Sequence, residues 1–216
     1  MPPLALTADV LFVAALCPTA PLRSAFPDVP FLSLLGRTPL VIWFGRFRQL
    51  CDRDASGAWH CEGGPTTVLY DELNVLALLR RRALFVPGIY ATAEPSFRIA
   101  RQYGIPKRRI SIRFPDVGRR IEANAWDGDC QSFVRARLLG LGRLLAWAIS
   151  WRWPWQSWPV RFANGAEVRG IVRATPRVDL ACVQQGRLAV AATWLPAPVP
   201  LLPIGLYVSK LAVFLP

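Results

Sequence analysis

The sequence predicts a β-rich α+β domain, built as an antiparallel barrel or as two packed sheets, with few and short helices. Three observations lead there. Twenty prolines and fifteen glycines are spread through all 216 residues and leave little unbroken length for helices. Hydrophobic residues make up 53% of the chain and charged residues 19%, so a sizeable core can form, and a disordered chain or a coiled coil is excluded. Strand-like runs and hairpin signals recur along the whole length. No internal repeat is visible, and residues 1–216 suit one domain.

The elements follow in chain order. Val10 to Leu16 is an unbroken apolar run, the pattern of a buried strand, stopped by Pro18. Ala20 to Phe26 suits a short helix closed by Pro27. Pro39 to Phe47 is β-branched and aromatic, a strand with a glycine inside it. Turn signals at Asp54–Gly57 and Gly63-Gly64-Pro65 precede a strand expected at Thr66–Tyr70. Glu94 to Tyr103 is the clearest helix. Thr92 is the expected N-cap, Glu94 and Pro95 suit a first turn, and Gly104 and Pro106 mark the stop. Ile110 to Phe114 alternates like a half-buried strand. Asn164-Gly165 signals a hairpin, and Gln185-Gly186 a weaker one. Leu188 to Ser209 is uncharged and long enough to span a bilayer, but Pro196, Pro198, Pro200 and Pro203 would leave its backbone unsatisfied there. It is expected as strand, proline-rich crossing and strand. No positively charged residue precedes Arg23, as a secretory signal would require, so a soluble, cytoplasmic protein is expected.

Charge narrows the chemistry. The net charge is +12, carried by 24 arginines and only two lysines, Lys107 and Lys210. Arg80-Arg81-Arg82 and Arg119-Arg120 could attract nucleic acid. The arginines are dispersed, however, and no reading motif is present, so no specific nucleic-acid partner is expected. His60, Cys61 and Cys51 lack the spacing of a zinc site and are expected as ordinary core or loop residues; neither a metal nor a cofactor is implied. Five cysteines are too few for a disulfide scaffold. Trp147, Trp151, Trp153, Trp155 and Trp158 are expected in the core or at the interface of a homo-oligomer.

Lys107 stands apart, set beside Arg108 and Arg109 just after a helix stop. An amine that attacks a carbonyl must be neutral, whereas lysine ordinarily stays protonated up to about pH 10.4. Neighbouring cations disfavour the charged form, while a helix C-terminus favours it. A reactive amine and a surface lysine in a basic turn both fit this spacing.

The stretch Tyr90-Ala-Thr-Ala-Glu94-Pro95, then Arg101, then Gly104-Ile105-Pro106-Lys107-Arg108, resembles the acetoacetate decarboxylase family with its "G-x-P-K-K" segment. That family is itself the usual illustration of a lysine activated by a neighbouring cation. The resemblance implies an acetoacetate decarboxylase-like fold, Lys107 as the Schiff-base nucleophile and Arg108 as the neighbouring cation. Tyr70-Asp71-Glu72 resembles the "Y-x-E" that supplies a pocket glutamate, and Leu11 to Pro27 and Leu202 to Pro216 resemble the opening and closing segments. The implied function is decarboxylation, or aldol or dehydration chemistry, on a keto acid or related carbonyl compound. Alternatives are a non-catalytic ligand-binding domain of the same fold and an Arg-rich nucleic-acid binder. Gly45 stands where the family has a second-strand glutamate, and the family's early arginine has no counterpart before Arg23, so poor turnover of acetoacetate itself is expected.

Overall fold

A computed structural model describes residues 4–53, 56–80, 83–114, 118–128, 130–140, 159–169, 171–172 and 177–215. The tryptophan cluster at 147–158 lies outside them, as do Arg81 and Arg82. The first half of the chain runs β1 (Leu4–Pro18), α1 (Thr19–Ala25), β2 (Arg37–Arg53), β3 (Trp59–Gly63), β4 (Tyr70–Leu78), β5 (Leu84–Ala91) and α2 (Glu94–Tyr103). The second half runs β6 (Arg108–Arg109), β7 (Ser111–Arg113), β8 (Arg120–Asp127), β9 (Cys130–Leu138), β10 (Pro159–Phe162), β11 (Glu167–Arg169), β12 (Ile171–Val172), β13 (Arg177–Leu188) and β14 (Val199–Leu215).

The strands form one large, mostly antiparallel sheet, with β1 at its centre between β2 and β14. The segment 108–113 links β5 to β8 at the far end of the sheet. β6 pairs parallel with β5, and β7 pairs antiparallel with β8, so the sheet curls round an interior. Period-two alternation sorts the side chains. Leu11, Val13, Phe44, Leu73, Tyr90, Ile112, Phe114, Ala123, Val134 and Ala181 point inward and form the main core, with Leu22 of α1 packed into it. The opposite face of β1, β2, β4 and β14 carries Val10, Phe47, Tyr70 and Val208, which α2 covers with Ile99 and Tyr103. Burying a side chain such as Ile99 contributes about 2 kcal/mol, which a ten-residue helix without a side-chain cap needs.

Helix α2 spans the expected residues, and Gly104 ends it in the left-handed conformation at φ 63°. The N-cap differs: Ala93 occupies that position, because the Thr92 hydroxyl is engaged with the backbone of Asp71 on β4. The Asn164-Gly165 hairpin forms, with Phe162 and Ala166 bonded across it. Gln185-Gly186 does not turn; it lies inside β13, paired with Arg135 and Val134 of β9 just after a register shift at Gln184. Thr66–Leu69 is not a strand, and pairing begins only at Tyr70. Cys51 and Cys61 are not ordinary loop residues. They face each other across β2 and β3 and form a disulfide. The ten-residue spacing fits a hairpin, but every residue of β3 is exposed and its sequence does not alternate, so no hydrophobic pattern announced it. Among the described residues no helix is long and apolar enough to cross a membrane.

Candidate active site

Glu72 and Lys107 meet. Strand β4 is buried along almost its whole length and presents Glu72 on the face that α2 covers. The chain leaves α2 through Gly104-Ile105-Pro106, and Asn164 of the β10–β11 hairpin donates to the Gly104 carbonyl at 2.5 Å, holding that exit in place. Lys107 then turns back beneath the helix. Its Nζ donates to Glu72 Oε2 at 2.5 Å and to Ser96 Oγ at 2.8 Å, and both ionic side chains are only 6% exposed. Ser96, fully buried in the first turn of α2, donates to the same Oε2 at 2.8 Å. Asn74 Nδ2 donates to Oε1 at 2.7 Å. Tyr70 closes the far side, its ring 5.9 Å from Nζ. Burial first, and the Glu72 charge second, push the Tyr70 phenol well above its ordinary range; a Ser96 hydrogen bond works the other way.

Above this network lies an open groove of about 380 Å³, lined by Phe97, Ala100, Arg101, Ile105, Lys107 and Asn164.

Arg108 goes elsewhere. It pairs with Tyr90, whose ring points into the barrel, and lines a cavity of about 40 Å³ with Leu73, Tyr90, Ile110, Asp127 and Ser132. Its Nη1 donates to the Ala191 carbonyl at 3.2 Å. Arg109 returns to the α2 side, 4.7 Å from the Phe97 ring centroid and paired with Glu94. Alternation along an extended segment therefore places Lys107 and Arg108 on opposite sides of the barrel wall.

No family model and no curated protein sequence matches the chain. Solved structures do. An acetoacetate decarboxylase from Legionella pneumophila superposes with a TM-score of 0.55 over 100% of this chain and 85% of its own, at 12% identity. An acetoacetate decarboxylase-like enzyme from Sphingomonas wittichii gives 0.53 over 99% and 90%, at 15% identity. The enduracididine biosynthesis enzyme MppR gives 0.57 over 99% and 87%, at 14% identity; its structure holds the condensation product of pyruvate and imidazole 4-carboxaldehyde. The fold is that of the acetoacetate decarboxylase-like enzymes. The expectation of fold class from the sequence is thereby met, and the structures that share the acetoacetate decarboxylase-like fold are those of enzymes.

Within this acetoacetate decarboxylase-like frame, Ser96, Asn74 and Tyr70 adjoin the candidate pair; the sequence singled out neither Ser96 nor Asn74, and Tyr70 only as part of Tyr70-Asp71-Glu72. With 70–78 recognised as a strand, alternation alone would have put Tyr70, Glu72 and Asn74 on one face. Arg46 and Arg48 are the cations closest in sequence to Gly45, and both are committed. Arg46 holds Asp71 through two hydrogen bonds of 2.9 and 3.1 Å, and Arg48 holds Asp9 at 2.6 Å.

Proposed function

We propose that this protein forms an imine between Lys107 and a small keto acid or related carbonyl compound. One observation carries the reading. A chain with two lysines buries the amine of one of them against a carboxylate and a hydroxyl, below a groove large enough for such a substrate. The amine must lose a proton before it attacks, and Glu72 Oε2 stands where that proton would go. Nζ then bonds to the carbonyl carbon, the resulting carbinolamine expels water, and the protonated imine withdraws electrons from the adjacent bond. When that bond leads to a carboxylate, carbon dioxide leaves. When it leads to hydrogen, the product is the enamine of aldol or dehydration chemistry. Arg101, on the groove wall and shared with Glu94, is the cation nearest to hand for a substrate carboxylate in the groove.

The test is borohydride reduction in the presence of pyruvate or acetoacetate, followed by peptide mass analysis. A reduced adduct on Lys107 is expected, absent in Lys107→Ala and retained in Lys210→Ala. A panel of keto compounds that leaves Lys107 unmodified would overturn the reading.

A second reading has its own support. Arg108 is a permanent cation that cannot form an imine, and it lines the interior cavity. A small carboxylate held there without chemistry would make the protein a binding module. Pyruvate binding that survives Lys107→Ala and is lost in Arg108→Ala would favour it.

A further inference from the structure

Among the described residues, two buried side-chain atoms have no hydrogen-bond partner: the indole Nε1 of Trp43 and the amide Oδ1 of Asn74. One is a donor and the other an acceptor. The two residues are direct cross-strand partners on β2 and β4, on the face that carries Glu72. Buried polar atoms are paired as a rule, so an orphaned donor and acceptor in register call for a common explanation.

The orientation of each atom is fixed. An ionised carboxylate only accepts, so Asn74 must turn its nitrogen to Glu72, and this leaves its oxygen over. The Trp43 ring is held against Phe12 at 5.3 Å and stacked on Phe47 at 6.1 Å. Its nitrogen leans along the strand over Gly45, into the place a side chain at 45 would fill. Gly45 pairs with Glu72, and Cβ positions across such a pair stand about 5 Å apart. The indole donor and the Glu72 carboxylate therefore share one lane of the sheet. A carboxylate offers about four acceptor sites. Asn74, Ser96 and Lys107 use three of them, and one remains.

We propose that Trp43, Asn74 and Glu72 together hold one water molecule, and that it is the water that releases product from the Lys107 imine. A single water satisfies all three groups: it accepts from Trp43 Nε1 and donates to Asn74 Oδ1 and to Glu72. Three bonds is the usual number for a buried water. Its second lone pair is then free to attack. The water oxygen bonds to the imine carbon, the C=N electron pair moves to nitrogen, and the water's proton passes to Glu72. Glu72 returns that proton to the nitrogen and the C–N bond breaks. The hydroxyl proton ends on the amine, which restores the ammonium–carboxylate pair. The catalytic half of this proposal rests on the imine reading of Lys107; the water site itself does not.

A high-resolution crystal structure of the free protein tests the site. A water within hydrogen-bond distance of Trp43 Nε1, Asn74 Oδ1 and Glu72 is expected. An indole bonded directly to Asn74, or no water between them, overturns the site whatever Lys107 does. The release step is read by loading the protein with pyruvate, removing free substrate, and trapping the remaining imine with borohydride at intervals. Trp43→Phe keeps the ring and removes the donor. It should slow decay of the trappable imine about tenfold, the effect of one well-placed hydrogen bond. Decay at the wild-type rate overturns the catalytic role. Failure to trap any imine in the unmodified protein overturns that role together with the Lys107 reading, and leaves the crystallographic result on the site standing.

Discussion

The two sides of the barrel wall treat charge differently. On the α2 side, one lysine, one glutamate, a serine and an asparagine form a hydrogen-bonded network in which each ionic group has several partners. On the interior side, large apolar residues fill most of the space, and the charges there include the Arg46–Asp71 pair and, at the cavity, Arg108 and Asp127. Arg46 is clasped by Asp71 and lies 5.8 Å from the Phe114 ring centroid, while the exposed Arg108 has, among the described residues, the Ala191 carbonyl as its hydrogen-bond partner. Lys107 and Arg108 are neighbours in the chain, yet each belongs to a different one of these regions. In an extended segment, adjacency in sequence separates side chains rather than joining them. The buried partner of Lys107 comes from 35 residues earlier.

This contrast can be broken by substitution. Lys107→Met leaves Glu72 buried without its cation and should cost about 3–5 kcal/mol in urea unfolding, whereas Arg108→Met should stay within about 0.5 kcal/mol. Equal losses would mean that the two side chains are not on opposite sides of the wall. Pairing Lys107→Met with Glu72→Leu should recover much of the loss, because no unpaired charge then remains.

The interior pair is the next largest effect. Arg46→Met strands Asp71, but both groups keep some contact with water, so about 2–3 kcal/mol is expected by the same measurement.

Alkaline pH should sharpen the comparison, because both regions bury groups that resist ionisation. Burial pushes the Cys17 thiol, in the interior, up to about 11, against the weaker opposing pull of its backbone hydrogen bonds. A value raised by folding means that the protonated form is the one the fold favours. Its contribution is complete below the unfolded thiol's value of about 8.5 and is lost as pH rises toward about 11, with a size of roughly 2–3 kcal/mol. Tyr70 adds a loss of the same sign beginning above about pH 10. Urea midpoints at pH 8 and pH 11 should differ, and Cys17→Ala should flatten the slope between them.

Acid should do least. Arg101 bonded to the Glu94 carboxyl holds it below the usual range. Stability from that pair is present at neutral pH and fades as pH falls through the lowered value, but the pair is fully exposed, so Glu94→Gln should barely move a melting curve at pH 4.

Much of this was legible in the sequence. Helix α2 could be bounded to the residue, because Pro95, Gly104 and Pro106 act locally through backbone sterics. The strand-dominated class and the Asn164-Gly165 hairpin were also local patterns, whereas Lys107 and Glu72 were named as site residues by the family resemblance. What tertiary structure decided is what depends on distant chain. Thr92 left the cap position because Asp71 offered its backbone another bond. Gln185-Gly186 stayed extended because β9 pairs with it, Gln185 opposite Arg135 and Gly186 opposite Val134. Cys51 found Cys61 because β3 folds back on β2. Arg108 left Lys107 because β6 runs beside β5, which fixes the side of the wall each residue faces. Turn chemistry and helix limits are properties of a few consecutive residues, so sequence alone determined them. Which charge meets which is set by strand register between distant segments, and only the assembled sheet specifies it.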